Sequence, residues 1–216
     1  MARPRDVERS RDLALRAAVV LEREGVTLPA EQLARALGVK RPTLLYHFPT
    51  YASIVEVALA ELLAEQALFV AERVERHEHP VDRLFARVSS ILEFHRGKES
   101  RILFLTQAIA VTGGARTLAI LQGAAAVFDE ARRDMVARVE RGIASGVVRP
   151  CDARALVSLV RAVIDGLTVQ RVTATEPIEP VLTLFWEEVL APLKIEPPRG
   201  APSRPARPRA RRPARR

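Results

Sequence analysis

Two brief apolar stretches meet at Gly38-Val39 in LARALGVKRPTLLYHF, residues 33–48, and that spacing is the one of a helix-turn-helix. Glycine takes the turn, Val39 tucks under both elements, and Ala34, four residues before Gly38, is small enough to let the second helix approach the first. Leu33, Leu37, Leu44 and Phe48 then form an inner wedge. With the wedge buried, helical geometry sends Lys40, Arg41, Thr43, Tyr46 and His47 outward, because residues three and four apart share a face. Lysine and arginine neutralise phosphates, while threonine, tyrosine and histidine donate hydrogen bonds or stack, so this face suits a DNA groove.

The rest of the chain reads as helix. Ala, Leu, Glu and Arg abound, and no convincing period-two run is bounded by turn residues, so the predicted class is all-α. A first helix is expected over residues 7–24, ended by Gly25, and a second from about Pro29 to Gly38. The third runs from about Lys40 to His47, and a longer one starts at a Thr50 N-cap and reaches the His77 region. Further helices are placed near 81–96, 100–111, 116–144, 152–173 and 178–193, with Asp152 as an N-cap. The expected organisation is a DNA-binding head over residues 1–50, a helical ligand-binding and dimerisation trunk over 51–195, and a tail from 196. The tail is rich in Pro and Arg, lacks apolar periodicity and is expected to be disordered.

Charge divides the same way. Of 34 basic residues, eight arginines follow Pro198 with no acidic residue among them, which leaves 26 basic against 26 acidic groups before it. Within that neutral body, residues 1–50 carry nine basic and six acidic groups, so a polyanion would meet the head, the tail or both. The charged start MARPRDVERSRD does not lead into a signal-peptide core and no uncharged apolar run spans a bilayer, so a cytoplasmic protein without membrane partners is expected. Cys151 is the single cysteine; it excludes an internal disulfide and a thiolate-clustered zinc site. No HExxH, phosphate-binding glycine loop or nucleophile elbow is found, and no enzymatic activity, metal or cofactor is expected.

GVKRPTLLYHF, with LARAL before it and the apolar helix from Ile54 after it, resembles the DNA-binding domain of the tetracycline-repressor (TetR) family of bacterial transcription regulators. The likeness covers residues 9–62, and residues 146–170 resemble the family's penultimate, dimerising helix and its lead-in. The resemblance implies an α-helical homodimer that represses a promoter until a small-molecule effector binds the trunk. It maps the recognition helix onto Lys40 to His47, with Arg41, Pro42 and Thr43 near base edges and Tyr46 and His47 toward bases or backbone. Three positions depart from the family's pattern. Leu45 stands where a phosphate-touching tyrosine is usual, so Tyr46 takes that role or reads bases. Tyr51 replaces a lysine at the start of the next helix, within the DNA-facing set, and Pro29 replaces a capping threonine.

In the trunk, His95 shares a face with Leu84, Val88 and Ile91, either as a satisfied core histidine or as a polar wall of a ligand cavity. Gln107 interrupts an apolar helix and is a comparable pocket candidate. Arg154, Ser158, Arg161, Asp165 and Thr168 fall on one face of the 152–173 helix, as a solvated stripe with an Arg161–Asp165 pair or as a polar pocket wall. His77 and His79 read as solvated loop histidines, and Trp186 as a core or interface aromatic. The last helix, PVLTLFWEEVLAPL, is apolar around most of its circumference and needs cover on two sides. Pairing it and the 152–173 helix with their copies in a second chain would supply that cover, through Val163, Leu167, Val181, Phe185 and Val189. The recognised partner would then be a near-palindromic double-stranded operator. The competing reading is a nonspecific nucleic-acid or anionic-surface binder driven by the arginine tail.

Overall fold

In a computed structural model, the structure describes residues 7–111, 115–174 and 176–195; the tail from 196 lies outside them. Among the described residues, nine α-helices follow in order: α1 (Val7–Glu24), α2 (Ala30–Ala36), α3 (Arg41–His47), α4 (Tyr51–Val74), α5 (Pro80–Phe94), α6 (Glu99–Val111), α7 (Ala115–Ala144), α8 (Ala153–Thr173) and α9 (Glu179–Leu184). α9 continues through a π-helical turn at Phe185–Leu190 and a 3-10 turn at Ala191–Leu193; Pro192 has no N–H to return to the carbonyl four residues back. The all-α expectation holds. No described helix is long and apolar enough to cross a membrane.

The starts and stops are locally determined. α2 ends at Leu37, after which Gly38 takes φ +68°. The N–H groups of Gly38 and Val39 then turn back to the carbonyls of Arg35 and Ala34, both at 3.0 Å, which satisfies two helix-end acceptors. Arg16 of α1 donates to the remaining Leu37 carbonyl. A Cβ at position 38 would touch nothing within 4 Å, so the glycine is required by its backbone angle alone. Gly38→Val is accordingly expected to cost about 1–2 kcal/mol, the penalty of a left-handed β-branched residue, read as a lower midpoint in chemical denaturation. α4 opens on a reciprocal cap: Thr50 Oγ1 accepts from Ser53 N at 3.1 Å, and Ser53 Oγ accepts from Thr50 N at 3.3 Å. Asp152 caps α8 as expected, accepting from the N–H groups of Arg154 and Ala155. α4 stops at Val74, short of the predicted His77.

Two cores form. The first gathers Leu13, Ala17 and Leu21 of α1, Leu33 and Leu37 of α2, Leu44 and Phe48 of α3 and Ile54 to Leu62 of α4, together with Phe94 and Phe104. The second unites Val70 and Val74 of α4 with Leu84, Val88 and Ile91 of α5, Val139 of α7, Val160, Ile164 and Leu167 of α8, and Phe185 and Leu190. α4 therefore belongs to both. At the far end of α4 from the head, a clip closes the trunk. Arg149 N donates to Leu193 O at 2.8 Å, Ile195 N to Val147 O at 2.9 Å, and Lys194 Nζ reaches both carboxylate oxygens of Asp82 at 2.8 and 2.9 Å. His79 is part of this clip, not a solvated loop residue: its Nδ1 accepts from Val81 N and its Nε2 lies 3.0 Å from Val147 O.

Candidate nucleic-acid interface

α3 is held by one face and presents the other. Leu44 and Phe48 sink into the first core, while Lys40, Arg41, Pro42 and Tyr46 are exposed and Thr43 is half-exposed. No acidic residue stands in the first turn of α3. Tyr46 is half in solvent at 50%. The outward set thus combines two cations, a hydroxyl and a phenol on a single short helix.

His47 is the first correction to the expected set. It is 7% exposed, and its Nδ1 shares a 2.8 Å hydrogen bond with Ser10 Oγ of α1. Position 47 lies three residues after Leu44, so it falls on the buried face, and Ser10 supplies the polar partner that burial requires. Its imidazole ties α3 to α1 and meets Tyr46 edge-on at 5.3 Å. Tyr51 is the second correction. Its ring packs on the first core and its hydroxyl is shut off from solvent with no hydrogen-bond partner. Burial pushes its pKa up to about 12, so it is a neutral phenol whose hydroxyl is withheld from solvent.

In the trunk, α8 leaves a stripe bare. Ala155, Leu159, Ala162, Gly166 and Val169, spaced four and three apart, are all exposed; Leu159 and Val169 stand at 44% and 47%. A Cβ on Gly166 would meet nothing. On α9, Val181 and Leu184 are likewise exposed, at 40% and 61%. Leu167 and Phe185, expected at a dimer contact, are instead committed to their own protomer's core, and Val163 and Val189 are half-buried against it. Of the five expected dimer residues only Val181 lies on the open face.

The pocket candidates separate in the same way. Arg161 and Asp165 are an exposed ion pair at 2.6 Å on the outside of α8, not a pocket wall. Gln107 is exposed, and its Oε1 faces Val26 N, at 3.5 Å, in the turn after α1; it joins trunk to head. His95 is buried to 2% at the end of α5, with Nε2 3.0 Å from Gln66 Oε1 of α4.

No family model matches the chain, and no curated protein does. Solved structures do. A TetR-family transcriptional regulator from Cytophaga hutchinsonii superposes with a TM-score of 0.70 at 14% identity, over 91% of this chain and 100% of that one. The TetR-family regulator PfmR from Thermus thermophilus gives 0.63 at 18%, over 83% and 97%. AibR, solved with isovaleryl coenzyme A and operator DNA, gives 0.61 at 16%, over 84% and 98%. The chain has the fold of the TetR-family regulators.

Within the TetR fold the head and trunk of this chain meet through charge as well as apolar packing. Arg101 of α6 donates from Nε to Glu22 of α1 at 3.2 Å, with both side chains more than four-fifths buried. Burial is the main influence on Glu22 and raises its pKa, although Arg101 works against it. His95 lies near this pair. Burial, then the charges of Arg101 and Arg171, hold its pKa at about 4, below the ordinary 6.5. The imidazole is therefore neutral in the folded chain but protonates at pH 6.5 when unfolded. Its contribution is complete above pH 6.5 and is lost as pH falls toward 4, on the order of 3 kcal/mol. Denaturation midpoints measured across that window are expected to fall for the natural chain and to fall less steeply for His95→Gln.

Sequence reasoning placed Thr168 on a polar face of α8 but missed Arg101 and Arg171 in the trunk interior and the small-residue stripe of α8. The stripe carried a readable signal in its spacing. The arginines carried none, because their burial depends on partners far along the chain.

Proposed function

We propose that the chain is a cytoplasmic, homodimeric transcriptional repressor of the TetR family, released from its operator by a small molecule, and a binding protein rather than an enzyme. The outward array of Lys40, Arg41, Thr43 and Tyr46 on a helix anchored by Leu44, His47 and Phe48 carries the reading. A helix so presented fits a major groove, with the cations on phosphates or guanine edges and the phenol on a base or the backbone. The bare α8 stripe and the exposed Val181 and Leu184 support pairing through a two-fold axis. The two recognition helices would then address grooves roughly 34–36 Å apart on a near-palindromic site. AibR, solved with isovaleryl coenzyme A and operator DNA, supports the reading that a protein of this fold takes both a small molecule and DNA.

Release follows if an effector favours a trunk arrangement in which α4 carries the heads off that spacing. A coupling of about 1–3 kcal/mol is typical of such linkage. Genomic fragments selected by the purified protein over a series of salt concentrations test the proposal. A shared inverted-repeat sequence is expected, persisting when residues 197–216 are deleted. Recovery of fragments with no common site, or loss of most affinity with the tail, would favour the charge-driven binder instead.

A further inference from the structure

Among the described residues, four buried polar atoms of the trunk have no hydrogen-bond partner: Nδ1 of His95, Nη1 of Arg101, Oγ1 of Thr168 and Nε of Arg171. They come from three helices. His95 is 2% exposed and commits Nε2 to Gln66. Thr168 and Arg171 lie one turn apart on α8, which packs against both α5 and α6. Phe94 touches both the His95 ring and the Arg101 guanidinium, and α8 packs on α5 and α6, which brings His95, Arg101 and Arg171 into one neighbourhood where both arginines act electrostatically on the imidazole. Unsatisfied groups of this kind cost about 1–3 kcal/mol each, more where charged, so native interiors rarely keep several together without use for them.

Their chemistry is one-sided. The hydroxyl and the two guanidinium nitrogens are donors. With Nε2–H of His95 directed to the Gln66 oxygen, Nδ1 accepts, and of the other three only the Thr168 hydroxyl can also accept. Arg171 forms no ion pair among the described residues, and the carboxylates of Arg101, Glu22 at 3.2 Å and Glu65 at 3.8 Å, leave its Nη1 unused. The flank is aromatic: Phe94 lies 5.1 Å from the His95 ring and 4.9 Å from the Arg101 guanidinium carbon, and Phe69, whose ring also carries the Arg73 guanidinium at 3.4 Å, packs on Phe94 at 5.4 Å.

Taking the regulator reading as its basis, we infer that the effector is an organic carboxylate, its anionic head held by Arg101, Arg171 and Thr168 and its apolar body lying toward Phe94 and Phe69. Nδ1 of His95 accepts from an N–H or O–H carried elsewhere on the same molecule. A cationic effector would face two guanidinium groups, and a neutral one would leave Arg171 uncompensated. The site also has a route to the head. Arg101 is the guanidinium that Glu22 of α1 holds, so a carboxylate on Nη1 divides that charge between effector and head. The ion pair joining α6 to the DNA-binding domain weakens as the site fills.

Calorimetric titration of the full chain without DNA, using hexanoate and octanoate against the matching alkylamines and amides, tests the assignment. Carboxylates are expected to bind at least tenfold more tightly than amines or amides of equal length. Arg171→Gln should lower carboxylate affinity at least tenfold and Arg171→Lys less than that, while circular dichroism and the affinity for DNA without effector stay at natural levels. Thr168→Val, which keeps the shape of the side chain, should weaken the same titration severalfold and provides the reading if Arg171→Gln does not fold. Equal binding of amines or amides, no carboxylate binding up to solubility, or carboxylate affinity indifferent to Arg171 and Thr168 would overturn the inference. Those results would leave DNA selection untouched, whereas absence of a selected DNA site with carboxylate binding intact would remove the regulator reading and keep the site.

Discussion

Leu159→Glu on α8 is expected to give a folded monomer whose operator affinity is at least a hundredfold below that of the natural chain. Leu159 sits in the bare stripe of Ala155, Ala162, Gly166 and Val169, where small side chains allow a second helix to come close. In a two-fold interface each residue acts from both copies, so one substitution buries two carboxylates against apolar surface. Losing the pair separates the two heads, and linkage of two binding modules contributes about 10²–10⁴ in avidity. Light scattering after size exclusion and a gel-shift titration measure the two effects. A Leu159→Glu chain that remains a dimer would place the interface elsewhere. Leu167→Ala is the useful contrast. Leu167 is 4% exposed inside the protomer, so its truncation should cost about 2–5 kcal/mol of stability.

On the head, Arg41→Ala and Tyr46→Ala are each expected to weaken operator binding about 10- to 100-fold, the equivalent of 1–3 kcal/mol per lost base or backbone contact. Both side chains are exposed, so stability and oligomeric state should not change. Lys40→Ala should act more evenly across sequences and flatten the salt dependence, as loss of a phosphate contact does. His47→Ala belongs to a different class. It removes the partner of Ser10 and part of the packing between α1 and α3, so it should lower thermal stability first and DNA affinity only through the displaced helix. Unchanged affinity for both Arg41→Ala and Tyr46→Ala would take α3 out of the groove.

Local signals were legible and distant ones were not. The ends of α2, α4 and α8 follow from Gly38, Thr50 and Asp152, each of which acts within four residues. His47 reads as an outward residue because its burial depends on Ser10, 37 positions upstream. Gln107 reads as a pocket residue because its partner Val26 is 81 positions away. The proposed dimer face illustrates a more general bias. Large apolar residues such as Leu167 and Phe185 attract attention in a sequence, yet they fill the protomer's own core, where burial of their area is greatest. The surface left for close helix approach is made of Ala155, Ala162 and Gly166, whose contribution lies in what they do not occupy.

Phe94 and Phe104 belong to α5 and α6, yet both are buried members of the first core with Leu21, Leu44 and Leu62. The head consequently has no complete interior of its own. Excised at residue 50 it would lose two aromatic plugs and the whole of α4, and its hydrogen-exchange protection should collapse. In the intact chain the two cores should melt as one cooperative unit, so that destabilising the effector end also thins the population competent to read DNA.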